Sequence, residues 1–372
     1  MLSINKRPRH FVDVLGQDRN VLAFRNHAKN DTFPQVMMLS GVTGTGKTTS
    51  AGIISSVINC HNPIVTDGYL EPCLTCDSCL DIINESYDRD IKFYDASRMG
   101  KDNVLALEAE ANRQPMFEDN KIIIIEEAQE LSSKGARGAL LKLIEKPRKH
   151  VYFILITMNE NKFEKAIKDR CQIYKFNKVR ANIIEDYLFK LITEIDSDEK
   201  IPTTVFDVLH LIATNSEGSL RKALQDFQRC LDSEIYNKDD ALEVLNYLSE
   251  EDMHKMILFL LSGDYKLFFD NLEKYEIYEF YRYTWKILTS VRQTDITNFY
   301  IAKWVEDRAK SIKAYSDYTN LLKVYNDIYA TGYFSDNVFK FNIYQFIEGR
   351  QKIKKALPVI EPSKKRRKKV VK

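Results

Sequence analysis

The segment Gly41-Val42-Thr43-Gly44-Thr45-Gly46-Lys47-Thr48 constrains this chain more than any other, because few backbone arrangements can use it. It fits G-x-x-x-x-G-K-[ST]. It lies between Val36 to Ser40, an apolar run that reads as a buried strand, and Thr48 to Asn59, whose apolar spacing reads as a helix. Strand, tight loop and helix in that order aim backbone N–H groups and a helix N-terminus at one point, which makes an anion site. Glycine at 41, 44 and 46 lets the backbone approach phosphate with no side chain between. In such a loop Lys47 is expected to reach the β- and γ-phosphates and the Thr48 hydroxyl to ligate Mg²⁺. Val42, Thr43, Thr45 and Thr49 complete the candidate nucleotide-binding set. The alternative is a chance glycine-rich turn before a helix, and it must explain every defining position at once.

Just after that helix come Cys60, Cys73, Cys76 and Cys79, four thiols within twenty residues. This is zinc-site spacing, and four thiolates leave no open position for water, so such a site is structural rather than catalytic. A thioredoxin-like redox pair is the other reading; it uses two cysteines and leaves two unexplained. The start of the chain carries no secretory signal, which points to a reducing compartment and against disulfides. Cys171 and Cys230 read as ordinary core residues.

Downstream, Lys121 to Glu127 reads K-I-I-I-I-E-E, a strand buried on both faces that ends in carboxylates. Open α/β sheets place their ligands at that end. Glu126 is expected to hold the Mg²⁺ shell and Glu127 to activate the attacking water. Val151 to Thr157 reads as another buried strand, with Thr157 and Asn159 as candidates for sensing the γ-phosphate. Ile91 to Tyr94 and Ile173 to Phe176 complete five strands of a doubly wound parallel α/β sheet.

These motifs resemble those of AAA+ ATPases, and specifically the clamp-loader subunits of the bacterial DNA polymerase III gamma/tau family. Lys6 to Gln17, including Arg7 and Pro8, resembles the family opening that packs around adenine, and the cysteines fall where the family carries its zinc module. Asp95 to Ser97 and Ala139 to Pro147 also look like family segments. Asp169-Arg170-Cys171 is similar to the motif whose arginine reaches a neighbouring subunit's ATP site. Gly218-Ser219-Leu220-Arg221 with Ala223-Leu224 is similar to the lid motif whose arginine contacts the γ-phosphate in cis. The resemblance covers about residues 6–235. It implies ATP, Mg²⁺ and Zn²⁺ as cofactors, and other loader subunits in a ring (a pentamer), a sliding clamp and primer–template DNA as partners. Three departures stand out. Glu126 replaces an aspartate, a methylene longer by about 1.5 Å against an exacting Mg²⁺ geometry. Met158 occupies the aligned sensor position, and Asp169 replaces a serine.

The implied organisation is an AAA+ domain over 1–178 with a zinc module near 60–80, then an all-α lid over 179–248. A helical collar over 249–356 and a basic tail over 357–372 follow. Amphipathic spacing in Ile183 to Ile195 and Val205 to Thr214 supports the lid, while aromatics such as those after Tyr265 and Tyr275 read as core. No apolar run approaches membrane-spanning length. The last ten residues hold seven basic groups, so the net charge of +2 leaves the remainder at −5. DNA contact must therefore use a local patch or this tail, whose composition also suits a nuclear-import signal. The expected location is cytoplasmic, in a bacterial cell or an infected host, and the brevity of the chain suggests a compact, gamma-like, virus-encoded form. The leading reading is an ATP-dependent clamp-loader subunit. The alternatives are a nucleotide-binding subunit that hydrolyses poorly, which Glu126 and Met158 motivate, and a branch-migration helicase, which lacks a cysteine module at this position.

Overall fold

Apolar runs bounded by turn-forming residues pair side by side into one parallel sheet. The computed structural model describes residues 2–86, 89–131, 134–195, 202–247, 256, 265–272, 280–281 and 343. In chain order its strands are β1 (Val36–Gly41), β2 (Ile64–Thr66), β3 (Tyr69–Glu71), β4 (Ile91–Asp95), β5 (Lys121–Glu126), β6 (Val151–Thr157) and β7 (Gln172–Phe176). The helices are α1 (Leu2–Asn5), α2 (Asp18–Asn30), α3 (Lys47–Ile58), α4 (Asp77–Ile83), α5 (Lys101–Asn112) and α6 (Lys134–Glu145). They continue with α7 (Lys165–Lys168), α8 (Ala181–Ile195), α9 (Val205–Asn215), α10 (Leu220–Asp232), α11 (Lys238–Leu245) and α12 (Tyr265–Leu272).

Five strands form the main sheet in the order β4-β5-β6-β1-β7, every pair parallel. The isoleucine run of β5 shows why both faces must be covered. Ile123 and Ile125 pack in a layer with Leu107, Leu140 and Ile144, from α5 and α6. Ile122 and Ile124 face the opposite layer, with Phe24, Ala51 and Ile54 from α2 and α3. Alternate side chains on a strand point to opposite faces, so an unbroken apolar run commits the chain to helices on each side. Each buried isoleucine contributes about 1.5–3 kcal/mol. The five predicted strands are therefore present, with one change: β5 stops at Glu126, because Glu127 turns into the left-handed region at φ 48.

Outside this sheet, β2 and β3 form a two-stranded antiparallel hairpin. Its turn carries Asp67 and Gly68, both at positive φ, which matches the twist of the flanking strands. The hairpin is clasped from its buried end. Glu71 is fully buried and its carboxylate accepts from the Phe11 backbone N–H at 2.7 Å and from Arg25 Nε at 2.9 Å. The Arg25 guanidinium also lies over the Tyr69 ring, 4.9 Å from its centroid.

After the sheet come α8, α9 and α10, which bury Leu188, Leu209 and Phe227 among other apolar residues. The chain divides into two compact units, residues 1–238 and 239–372. In the second, α12 buries Phe268 and Leu272, and the Phe268 ring meets Phe280 edge-on at 5.5 Å. Most of the proposed collar and all of the basic tail lie outside the described residues. Among the described residues no helix is long and apolar enough to cross a membrane.

Candidate nucleotide site and cysteine cluster

The phosphate loop leaves β1 at its C-terminal end and enters α3 through Gly46, at φ 98. Gly44 sits at φ 79, and a Cβ there would lie 2.0 Å from Ser219 Oγ, so a side chain is excluded twice over. The same glycine fixes α10 to the loop: its carbonyl accepts from the Leu220 backbone N–H at 3.0 Å. Lys47 is buried, and its ammonium donates to the carbonyls of Gly41 (2.6 Å) and Val42 (2.9 Å). Burial lowers its pKa below the ordinary lysine range. The Glu127 charge opposes this, the Arg221 charge adds to it, and Glu126 opposes it more weakly.

Across the loop, β5 delivers its two carboxylates. The Thr48 hydroxyl donates to Glu126 Oε1 at 2.6 Å. Neighbouring ligands of an octahedral magnesium ion stand about 2.9 Å apart, so these two oxygens fit adjacent positions around one ion. The longer side chain at 126 thus still reaches the hydroxyl that an aspartate would serve. One cavity gathers the loop residues Thr43 to Thr49 with Glu126, Glu127 and Arg221, and Arg7 and Pro8 line it as well. Leu224 of the lid segment lines it too, and Asp13, Leu15, Ile156 and Tyr187 share that lining without a role read from the sequence, apart from the general placement of the N-terminal arm. Gly41 and Val42 stand at the loop entrance, where Lys47 contacts their carbonyls.

Two candidates lie elsewhere. Thr157 is fully buried and donates to Gln129 Oε1 at 2.7 Å, so it stands behind the cavity rather than in its wall. Met158 is exposed, and Asn159 turns its side chain to the Asn161 backbone N–H. Arg170 follows α7, donating to the Ala166 carbonyl and to Glu145, each at 2.8 Å. It does not line the cavity of its own chain. Gln129 connects the Glu127 carboxylate to β6 and carries no sequence motif that would reveal it.

The four cysteines converge. Cys60 follows α3, Cys73 follows β3, Cys76 precedes α4 and Cys79 lies within it. Their ligand atoms all fall within 4.8 Å of one another, with Sγ–Sγ distances of 4.0 Å (Cys73 to Cys79) and 3.7 Å (Cys60 to Cys79). Zinc–sulfur bonds of 2.3 Å in a tetrahedron put sulfurs about 3.8 Å apart, so the thiols fit one zinc ion. Burial raises the Cys60 and Cys79 thiols. Burial acts the same way on Cys73, but hydrogen bonds from the Thr75 hydroxyl and from the Thr75 and Cys76 backbone outweigh it, bringing Cys73 down to about 5. A ready thiolate at Cys73 suits metal capture.

A family profile described as "DNA polymerase III, delta subunit" matches residues 16–180. Over 246 residues the chain is 30% identical to DNA polymerase III subunit tau of Bacillus subtilis (strain 168), covering 66% of this chain and 42% of that protein. Over 273 residues it is 32% identical to DNA polymerase III subunit gamma/tau of Mycoplasma genitalium, covering 73% and 44% respectively. The chain is gamma/tau-like. It spans less than half the length of these two relatives. A solved structure of the Thermotoga maritima RuvB Holliday junction branch migration motor is 17% identical to it with a TM-score of 0.46, covering 68% of this chain and 79% of that one. In the gamma/tau-like chain, the matched span of 16–180 holds the phosphate loop, the paired glutamates, the cysteine cluster and Arg170. Arg7 and Pro8 precede it, and the lid arginine, Arg221, lies beyond it.

Proposed function

We propose that this chain is an ATP-driven subunit of a DNA sliding-clamp loader. The observation that carries the reading is the cavity itself: in a gamma/tau-like chain it brings the loop, both glutamates and the lid arginine to one place. Lys47 and the loop N–H groups bind the β- and γ-phosphates, while Thr48 and Glu126 hold magnesium. The N-terminal arm, through Arg7 and Pro8, closes over the base. Glu127 takes a proton from the attacking water, and Arg221 neutralises the γ-phosphate from the lid. Arg170, on the surface away from its own cavity, reaches the site of the next subunit. When bound, Mg²⁺–ATP supplies a γ-phosphate that both subunits grip until hydrolysis removes it.

Partners in this reading are further loader subunits in a pentameric ring, a sliding clamp and primer–template DNA, and the setting is the cytoplasm. The four cysteines hold one structural Zn²⁺. The test is clamp loading on primed DNA by Lys47→Ala. Losing a buried charge that pairs with phosphate costs about 2–5 kcal/mol of binding, so ATP affinity should fall at least tenfold and loading should stop. Loading that persists in Lys47→Ala rejects the proposal. Glu126 in place of aspartate favours a second reading, a subunit that binds ATP and scarcely hydrolyses it. Single-turnover hydrolysis separates the two, and Glu126→Asp raises the rate if side-chain length is the obstacle.

A further inference from the structure

We propose that Gln129 is the positioning residue for the base of hydrolysis, holding Glu127 in place by tying it to the end of β6. This rests on the reading of Glu127 as the base. Gln129 lies in the single turn after β5 and is only 6% exposed. Its side chain spans three groups. Oε1 accepts from Thr157 Oγ1 at 2.7 Å and from the Met158 backbone N–H at 3.3 Å, and Nε2 donates to Glu127 Oε2.

The amide orientation follows from chemistry. The Met158 N–H can only donate, so the oxygen of Gln129 must face β6 and its nitrogen must face the carboxylate. No other side chain of this length offers an acceptor at one edge and a donor at the other. Leucine offers neither. Glutamate sets a second carboxylate against Glu127. The ladder continues beyond Thr157, whose hydroxyl accepts from the Asn159 N–H at 3.1 Å, so the turn after β6 is linked to the base through three hydrogen bonds.

Glu127 needs such a tether. It is a non-glycine residue at φ 48, ψ 38, a conformation that costs about 1–2 kcal/mol unless its surroundings hold it. Hydrogen bonding from Gln129 takes up one acceptor site of Oε2 and leaves Oε1 open to the water. It also gives Thr157, which does not line the cavity, a route to the base through Gln129. Met158, 47% exposed, is the next residue along, so a neighbour pressing on this turn would shift the base. A carboxylate displaced by about 1 Å loses on the order of 100-fold in rate.

The experiment measures single-turnover ATP hydrolysis and the affinity of a fluorescent ATP analogue, using the full chain assembled in its loader with clamp and primed DNA. The proteins are wild type, Gln129→Leu, Gln129→Glu and Glu127→Gln. Gln129→Leu should lower the hydrolysis rate about 10- to 100-fold with analogue affinity within twofold of wild type. Gln129→Glu should hydrolyse best at acid pH, where the two carboxyls share a proton, and lose activity as pH rises through a range where wild type is flat. A packing role alone would not produce that pH dependence. The inference is overturned if Gln129→Leu hydrolyses within threefold of wild type while Glu127→Gln is strongly impaired. Loss of analogue binding in step with rate overturns it too. If Glu127→Gln hydrolyses normally, or wild type shows no turnover, the base reading fails and this inference goes with it. Should Gln129→Leu not fold, the pH profile of Gln129→Glu decides alone.

Discussion

The nucleotide cavity and the cysteine cluster are built on opposite plans. The cavity takes residues from the N-terminal arm, the phosphate loop, the end of β5, α8 and α10, so it exists only once the sheet and lid have assembled. The cluster takes its four thiols from residues 60–79. Its geometry depends on the short hairpin and on α4. The difference teaches where each site's energy comes from. Burial of the isoleucine and phenylalanine layers holds the cavity residues in place. Leu70 and Ile82 tie the cluster region to the same core, and an ion held by the four thiols would add cohesion of its own.

Removing the metal gives the largest expected effect on that contrast. Cys79→Ser, or chelation of wild type, should release about one zinc per chain. Amide exchange protection should then collapse across residues 60–85 while β1, β5 and β6 stay protected. Equal loss of protection in the sheet would show that the two regions are one cooperative unit. Next in size is the clasp between them. Glu71→Gln removes the buried carboxylate that holds the Arg25 guanidinium and leaves it only the exposed Asp67 at 3.6 Å, at a cost of about 2–4 kcal/mol in urea unfolding. The Phe11 end of the N-terminal arm loosens with it, so ATP affinity should fall a few-fold although residue 71 does not line the cavity.

The smallest effect sharpens the comparison by pH. Glu160 bonds to Lys175 at 2.7 Å and to the Ser40 hydroxyl, and these contacts hold its carboxyl at about 2, below the ordinary 4.5. A depressed carboxylate pKa contributes stability that is fully present above 4.5 and is lost as pH falls toward 2. Glu160→Gln should therefore cost about 1–2 kcal/mol at neutral pH, and the gap to wild type should close in acid. Zinc leaves as its thiolates take up protons. Metal release in an acid titration should thus come before the sheet end held by Glu160 weakens; the reverse order would contradict the assignment.

Legibility in the sequence divides along the same line. The cluster ligands, the loop and the isoleucine run declare themselves because their chemistry sits in consecutive or closely spaced residues. The hairpin could have been found too: Asp67-Gly68 between Ile-Val-Thr and Tyr-Leu-Glu is a strong turn signal. Gln129 could not. Its meaning lies in Thr157, 28 residues away, and a glutamine after a strand is otherwise unremarkable. Glu71 is similar, since its partner Phe11 is 60 residues distant and contributes only a backbone N–H. The register by which Thr157 turns away from the cavity is likewise a property of the assembled sheet.

The bond between the Leu220 N–H and the Gly44 carbonyl has a mechanical consequence. It makes the phosphate loop a fulcrum. Helix α10, with 13 residues, is an arm about 20 Å long pivoting there. A tilt of roughly 5° at the pivot, smaller than most hinge motions, moves the far end of such an arm by about 1.7 Å. Whatever small adjustment the loop makes around a phosphate thus leaves the site already amplified, carried by a rigid rod toward the part of the chain that follows Asp232.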